Sequence, residues 1–126
     1  VIERIKSIDE SWLTATRYVI WTPERELADG NDFAATQLGI SLVAENAAQS
    51  PLYESLGLAR LPAAEYFHAV VATDYAPGRN EFLAAGLKWL ESRGKKTVGG
   101  MLGRYLASCH KHNMDYYEIW LKVQDR

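Results

Sequence analysis

The final strand-like segment of the chain, Tyr116 to Gln124 (YYEIWLKVQ), carries the residues best suited to chemistry. Strand side chains alternate between two faces. Tyr117, Ile119, Leu121 and Val123 form the apolar set and are expected to face a core. Tyr116, Glu118, Trp120 and Lys122 then share the opposite face. A carboxylate between two aromatics suits an organic cation. Each ring face attracts the charge by about 0.5–2 kcal/mol, depending on desolvation, and the carboxylate supplies the counter-charge. The plainer alternative is an amphipathic strand whose polar face is solvated. Glu118 could also serve as a base that activates water against an electrophilic ligand, with a tyrosine stabilising the developing charge.

Other side chains are candidates for the same face. Tyr18, Tyr66 and Tyr105 on the other strands could add to it, and Trp12 and Trp21 join them if the strand register allows. Tyr and Trp combine an apolar body with a polar handle, which suits a partly wet groove. Glu54 sits in a Tyr-Glu pair that echoes Tyr117-Glu118, so it is either a second acidic contact or a surface charge. His110 and His112, at i and i+2 near a turn, could begin a metal site. No third ligand follows at suitable spacing, so no metal and no cofactor are expected. Cys109 and His110 are adjacent, and adjacent strand residues point to opposite faces, which is poor geometry for a nucleophile and its base. A lone buried Cys is the simpler reading.

The elements that must position these residues can be read in outline. Residues 12 to 22 are rich in β-branched and aromatic types and predict a strand that ends at Pro23. Residues 24 to 37 predict a short or broken helix, interrupted by Asp29-Gly30-Asn31. Strands follow at 39 to 45, at 52 to 61 and at 65 to 75. Asn80 is a plausible N-cap, and Phe82, Leu83, Gly86, Leu87 and Leu90 recur at helical spacing. Gly94 predicts the end of that helix. A strand is expected over 101 to 110, a turn over 111 to 115 and the closing strand over 116 to 124. The order is strand, helix, strand, strand, given twice, as pseudo-repeats of about 12–61 and 65–124. This predicts an α+β fold of duplicated βαββ units: an antiparallel sheet with two helices on one face and a groove on the other.

Composition limits the partners. The 126 residues make one domain, 48% hydrophobic and 24% charged, with a net charge of −2. A dedicated nucleic-acid binder usually has a clear basic excess, so no direct nucleic-acid partner is expected. No apolar run approaches the ~20 residues of a membrane span. A single Cys excludes an intramolecular disulfide, which favours a reducing, cytoplasmic setting for a monomer or homodimer. The chain begins at Val1, so a preceding segment is conceivable. Phosphate-binding loops, dinucleotide fingerprints and nucleophile elbows are absent from the sequence.

Several stretches together resemble the GyrI-like small-molecule-binding domain, the effector-binding domain of AraC-type and MerR-type regulators. They are Leu61-Pro62-Ala63-Ala64-Glu65-Tyr66, the helix Phe82 to Leu90, Arg104-Tyr105 and the run Tyr117 to Val123. Ala64 stands where that family often has Gly, and Lys122 where it often has Pro. The resemblance implies a duplicated βαββ fold with a groove on the sheet face away from the helices. It further implies bulky, apolar, often cationic ligands in that groove, with Glu118 as the acidic residue of the closing strand. A transcription-regulatory sensor role, hydrolysis on the same scaffold, protein interaction and the haem association of the related SOUL domains are the other roles it implies.

Overall fold

The structure is a computed structural model that describes residues 17–34, 37–41 and 63–126. Among the described residues, five strands and two helices follow in the order β1 (Arg17–Thr22), α1 (Glu24–Ala28), β2 (Gln37–Ser41), β3 (Tyr66–Thr73), α2 (Glu81–Ser92), β4 (Lys95–Cys109) and β5 (Met114–Asp125). The strands form one antiparallel sheet with the order β2-β1-β4-β5-β3. This is an α+β architecture. The expected strand over 52–61, the start of the first strand and the end of the second lie outside the described residues.

Alternation along β5 governs the packing. Tyr117, Ile119, Leu121 and Val123 are buried, as the period of two predicts. Tyr117, Ile119 and Leu121 meet Ile20, Val71, Leu83 and Met101 in one core, against which Leu27, Phe33, Phe67 and Leu87 also pack. Leu27 comes from α1 and Leu83 from α2, so both helices cover the same sheet face. Burial of each large aliphatic side chain contributes about 1.5–3 kcal/mol.

Helix α2 begins where its sequence says it should. The Asn80 side chain accepts hydrogen bonds from the amides of Phe82 and Leu83, both at 3.0 Å, and donates to the Ala72 carbonyl at 2.8 Å. It therefore caps the helix and ties it to the end of β3. A second tie crosses the molecule. The buried Asp32 accepts from the Asn80 amide at 2.7 Å, and its other oxygen meets Arg79 Nη1 at 2.9 Å as an ion pair. Arg79 also donates to the Leu27 carbonyl at 2.9 Å, which anchors α1.

Element boundaries differ from the sequence reading, in three cases for a visible local reason. Helix α1 stops at Ala28, because Gly30 takes a left-handed φ of 80° and turns the chain. Strand β4 starts at Lys95 rather than 101, because Gly99-Gly100 does not separate two elements. It is absorbed as a bulge, where the pairing with β5 shifts between Val98 and Met101. Strand β5 starts at Met114, because the turn is earlier and tighter than expected, with Asn113 in the left-handed region at φ 53°.

The two halves pair their strands differently. In the second half β5 separates β3 from β4, whereas in the first half β1 lies directly beside β2.

Candidate functional site

Glu118 lies on β5, the strand flanked by β4 and β3, and looks away from the helices. The register sets Arg104 of β4 directly opposite it on one side and Val70 of β3 on the other. Two residues along β5, Trp120 pairs with Leu102 and with His68. Alternation therefore brings His68, Arg104, Glu118 and Trp120 to one surface.

These four side chains form a connected group. Arg104 donates to Glu118 Oε1 through Nε at 2.9 Å and through Nη2. His68 Nε2 is 2.9 Å from Glu118 Oε2. Trp120 lies near both cation-forming side chains, with the Arg104 guanidinium 5.4 Å from its ring centroid. The His68 imidazole lies 4.9 Å from the same ring at an interplanar angle of 34°. Side-chain exposure is 48% for His68, 37% for Arg104 and 14% for Glu118, so the carboxylate is the floor of the group and His68 its outer member.

Burial alone would raise the Glu118 pKa. The hydrogen bonds from Arg104 and His68, and their charge, more than offset this and hold it below its ordinary value of 4.5. Glu118 is therefore an ionised acceptor, with one oxygen held by an obligate cation and the other by an imidazole. A carboxylate in that state is a weak base, so the arrangement does not favour general-base activation of water.

Of the sequence candidates, Tyr116, Glu118 and Trp120 do share this face. Tyr66 joins them at the register position opposite Lys122. Trp21 is on the same face two strands from Trp120, with Leu102 between them. It packs over Gly100, where an added Cβ would fall 2.5 Å from its ring. Tyr105 and Tyr18 are corrections. Arg104 takes the Glu118 face, so Tyr105, one residue on, must take the helix face. Val19 pairs with Arg104, which sends Tyr18 to the helix face too. Their rings meet edge to face at 6.5 Å, and Tyr105 lies 5.9 Å from the buried Tyr117. Trp12 and Glu54 lie outside the described residues.

Sequence reading missed the two partners of Glu118. Arg104 entered only through the family resemblance. His68 was visible by period two from Tyr66, but nothing in the sequence shows which carboxylate it faces.

On the helix side, a hydrogen-bonded chain closes the β4–β5 turn. Tyr75 donates to Asp115 at 2.5 Å and lies 2.6 Å from the Tyr117 hydroxyl. Ser108 donates to the other Asp115 oxygen at 2.6 Å and is 2.5 Å from the Tyr105 hydroxyl. The Ser108 and Tyr75 bonds hold the Asp115 pKa below its ordinary value. Burial, then the bond to Asp115, pushes that of Tyr75 up, so this phenol is a permanent donor. Clefts of about 410 and 200 Å³ also lie on the helix side, bordered by α2 with Leu87 and Arg79 in both. Neither reaches Glu118. His110 and His112 are exposed around the turn, and no metal-binding group of three or more His, Cys, Asp or Glu forms among the described residues. No helix among the described residues is long and apolar enough to cross a membrane.

Comparison of the chain with protein-family models, with curated proteins and with solved structures finds no match.

Proposed function

We propose that the Glu118 face of the sheet binds an amphipathic, planar small molecule with N–H donors, an organic cation being the best-suited kind. The observation that carries this reading is that Trp120 and Glu118 share one face of β5 and both meet the half-exposed His68 ring, Trp120 at 4.9 Å and Glu118 Oε2 at 2.9 Å. One offers a ring face and the other an ionised acceptor to a planar group in that place. A planar cation stacked on the indole could direct an N–H to that oxygen. Arg104 already occupies Oε1 and cancels the carboxylate's net charge. Attraction for the ligand then comes from the Oε2 lone pairs and the aromatic surface rather than from an uncompensated charge. Tyr116 and Tyr66 extend the surface along the same face. On this reading the face is the groove of a GyrI-like effector-binding domain, and the duplicated βαββ plan belongs to the same proposal.

A thermal-shift screen against planar cationic dyes and amidines tests it, because a ligand that binds only the folded state raises the melting temperature. A set of cations that gives shifts in the wild type, and none in a Trp120→Ala Glu118→Gln double variant, supports the reading. Equal shifts in both proteins refute it.

A further inference from the structure

The His68 imidazole is already placed as a bound ligand would be. It is a planar ring against Trp120, at 4.9 Å and 34°, with a ring nitrogen 2.9 Å from Glu118 Oε2. It is also the most exposed of Glu118's partners, with 48% side-chain exposure, and so the one that can leave at least cost. Arg104, held through two nitrogens, stays. We propose that His68 is a resident occupant of the ligand subsite, an internal competitor that must release Oε2 before a planar N–H donor can bind there. This inference rests on the ligand-binding reading above and adds its regulation.

The competition depends on pH. A histidine gains its charge between about pH 5 and 8. The charged form makes a charge-assisted hydrogen bond to a carboxylate, roughly twice as strong as a neutral one. Among the described residues, the register gives the charged groups on the face of His68. On β5 these are Glu118, which favours the charged imidazole, and Lys122, which opposes it. On β4 it is Arg104, which also opposes it. Tyr66 is the titratable neighbour on its own strand, β3. Of these, Glu118 is in direct contact, so acidification strengthens the closed arrangement and neutral or alkaline conditions loosen it.

The test uses benzamidine, a planar amidinium, as probe, and calorimetric titration between pH 5.5 and 8 on three proteins: wild type, His68→Ala and His68→Phe. In wild type, affinity should rise about three- to tenfold from pH 5.5 to 8. The His68→Ala variant vacates the subsite, so it should bind several-fold more tightly than wild type at pH 5.5, with little pH dependence. His68→Phe keeps a ring against Trp120 without a hydrogen bond, so it should bind no more tightly than wild type and also lose the pH dependence. In parallel, the imidazole NMR resonance that His68→Ala removes should change its chemical shift in Glu118→Gln, because the variant alters the hydrogen bond at Oε2.

Weaker binding by His68→Ala, or a pH profile unchanged by either substitution, overturns the inference while leaving the ligand-binding reading intact. Absence of benzamidine binding in all three proteins, alongside a His68 resonance that responds to Glu118→Gln, refutes the ligand subsite, and the inference falls with it. A His68 resonance indifferent to Glu118→Gln overturns the inference even where benzamidine binds.

Discussion

Arg104 and Glu118 occupy directly paired positions on neighbouring strands, and the guanidinium grips one carboxylate oxygen through two of its nitrogens. The pair fixes which oxygen remains for anything else: Oε2 faces β3, where His68 reaches it. One strand register thereby orients the only acidic side chain described on this face toward the aromatic side of the sheet.

Removing Arg104 should have opposite effects on stability and on binding. Arg104→Gln leaves a mostly buried carboxylate without its cation, at a cost of about 1–3 kcal/mol. The same change frees the Glu118 charge, so benzamidine affinity should rise. Urea unfolding of the single variants and of Arg104→Gln Glu118→Gln should show that the two losses do not add. Additive losses would mean that the pair is not coupled.

Stability should fall in acid for an identifiable reason. The Glu118 and Asp115 pKa values are held below their ordinary values of 4.5 and 3.8. A carboxyl group with a lowered folded-state pKa stabilises the fold above its unfolded-state pKa. That contribution is lost as pH falls through the folded-state value. The urea midpoint should therefore drop below about pH 4.5, and it should drop less steeply in Glu118→Gln. Identical acid profiles for wild type and this variant would show that Glu118 contributes nothing to the acid limb.

Asp32 should be a stability residue. It is fully buried, meets Arg79 and receives the Asn80 amide, and so holds the segment after α1 against the start of α2. Asp32→Ala should cost about 2–4 kcal/mol in chemical denaturation, since it leaves a partly buried amide and a partly buried cation without their acceptor. A loss under about 0.5 kcal/mol, typical of surface sites, would contradict that role.

Gly100 should tolerate no side chain. An added Cβ would lie 2.6 Å from the Thr22 carbonyl oxygen and 2.5 Å from the Trp21 ring. The ring could turn aside, but the carbonyl belongs to a paired strand. Gly100→Ala should destabilise by about 1–3 kcal/mol and alter Trp21 fluorescence. An unperturbed melting temperature would place β1 differently against β4.

Much of the second half was legible in the sequence. The Tyr117-Ile119-Leu121-Val123 alternation identified the core face of β5, and the Asn80 cap identified the start of α2, because both signals are local. The surroundings of Glu118 were not legible, because they depend on the pairing of three strands. The β4–β5 register is irregular in two places, between Val98 and Met101 and between Tyr105 and Ala107. A slip of one residue exchanges the faces of a strand. The pairing of Arg104 with Glu118 decides that Tyr105 takes the other face, and the pairing of Val19 with Arg104 decides the same for Tyr18; neither pairing can be read from one strand alone. In the first half, the proposed strand containing Glu54 lies outside the described residues, so its relation to Glu118 rests on the Tyr-Glu echo alone.

The central claim is that Glu118, its net charge compensated by Arg104, anchors a planar cationic N–H donor through the charge-assisted hydrogen bond that its ionised Oε2 accepts. Calorimetric titration of wild type and Glu118→Gln with benzamidine and with neutral benzamide, at pH 8, tests this most directly. Glu118→Gln preserves shape and removes the charge. The account predicts a loss of about 1–3 kcal/mol for benzamidine, roughly five- to a hundredfold in affinity, and little change for benzamide. Equal affinity of the two proteins for benzamidine would contradict it, and the Glu118–Arg104–His68 group would then be a structural feature of the sheet alone.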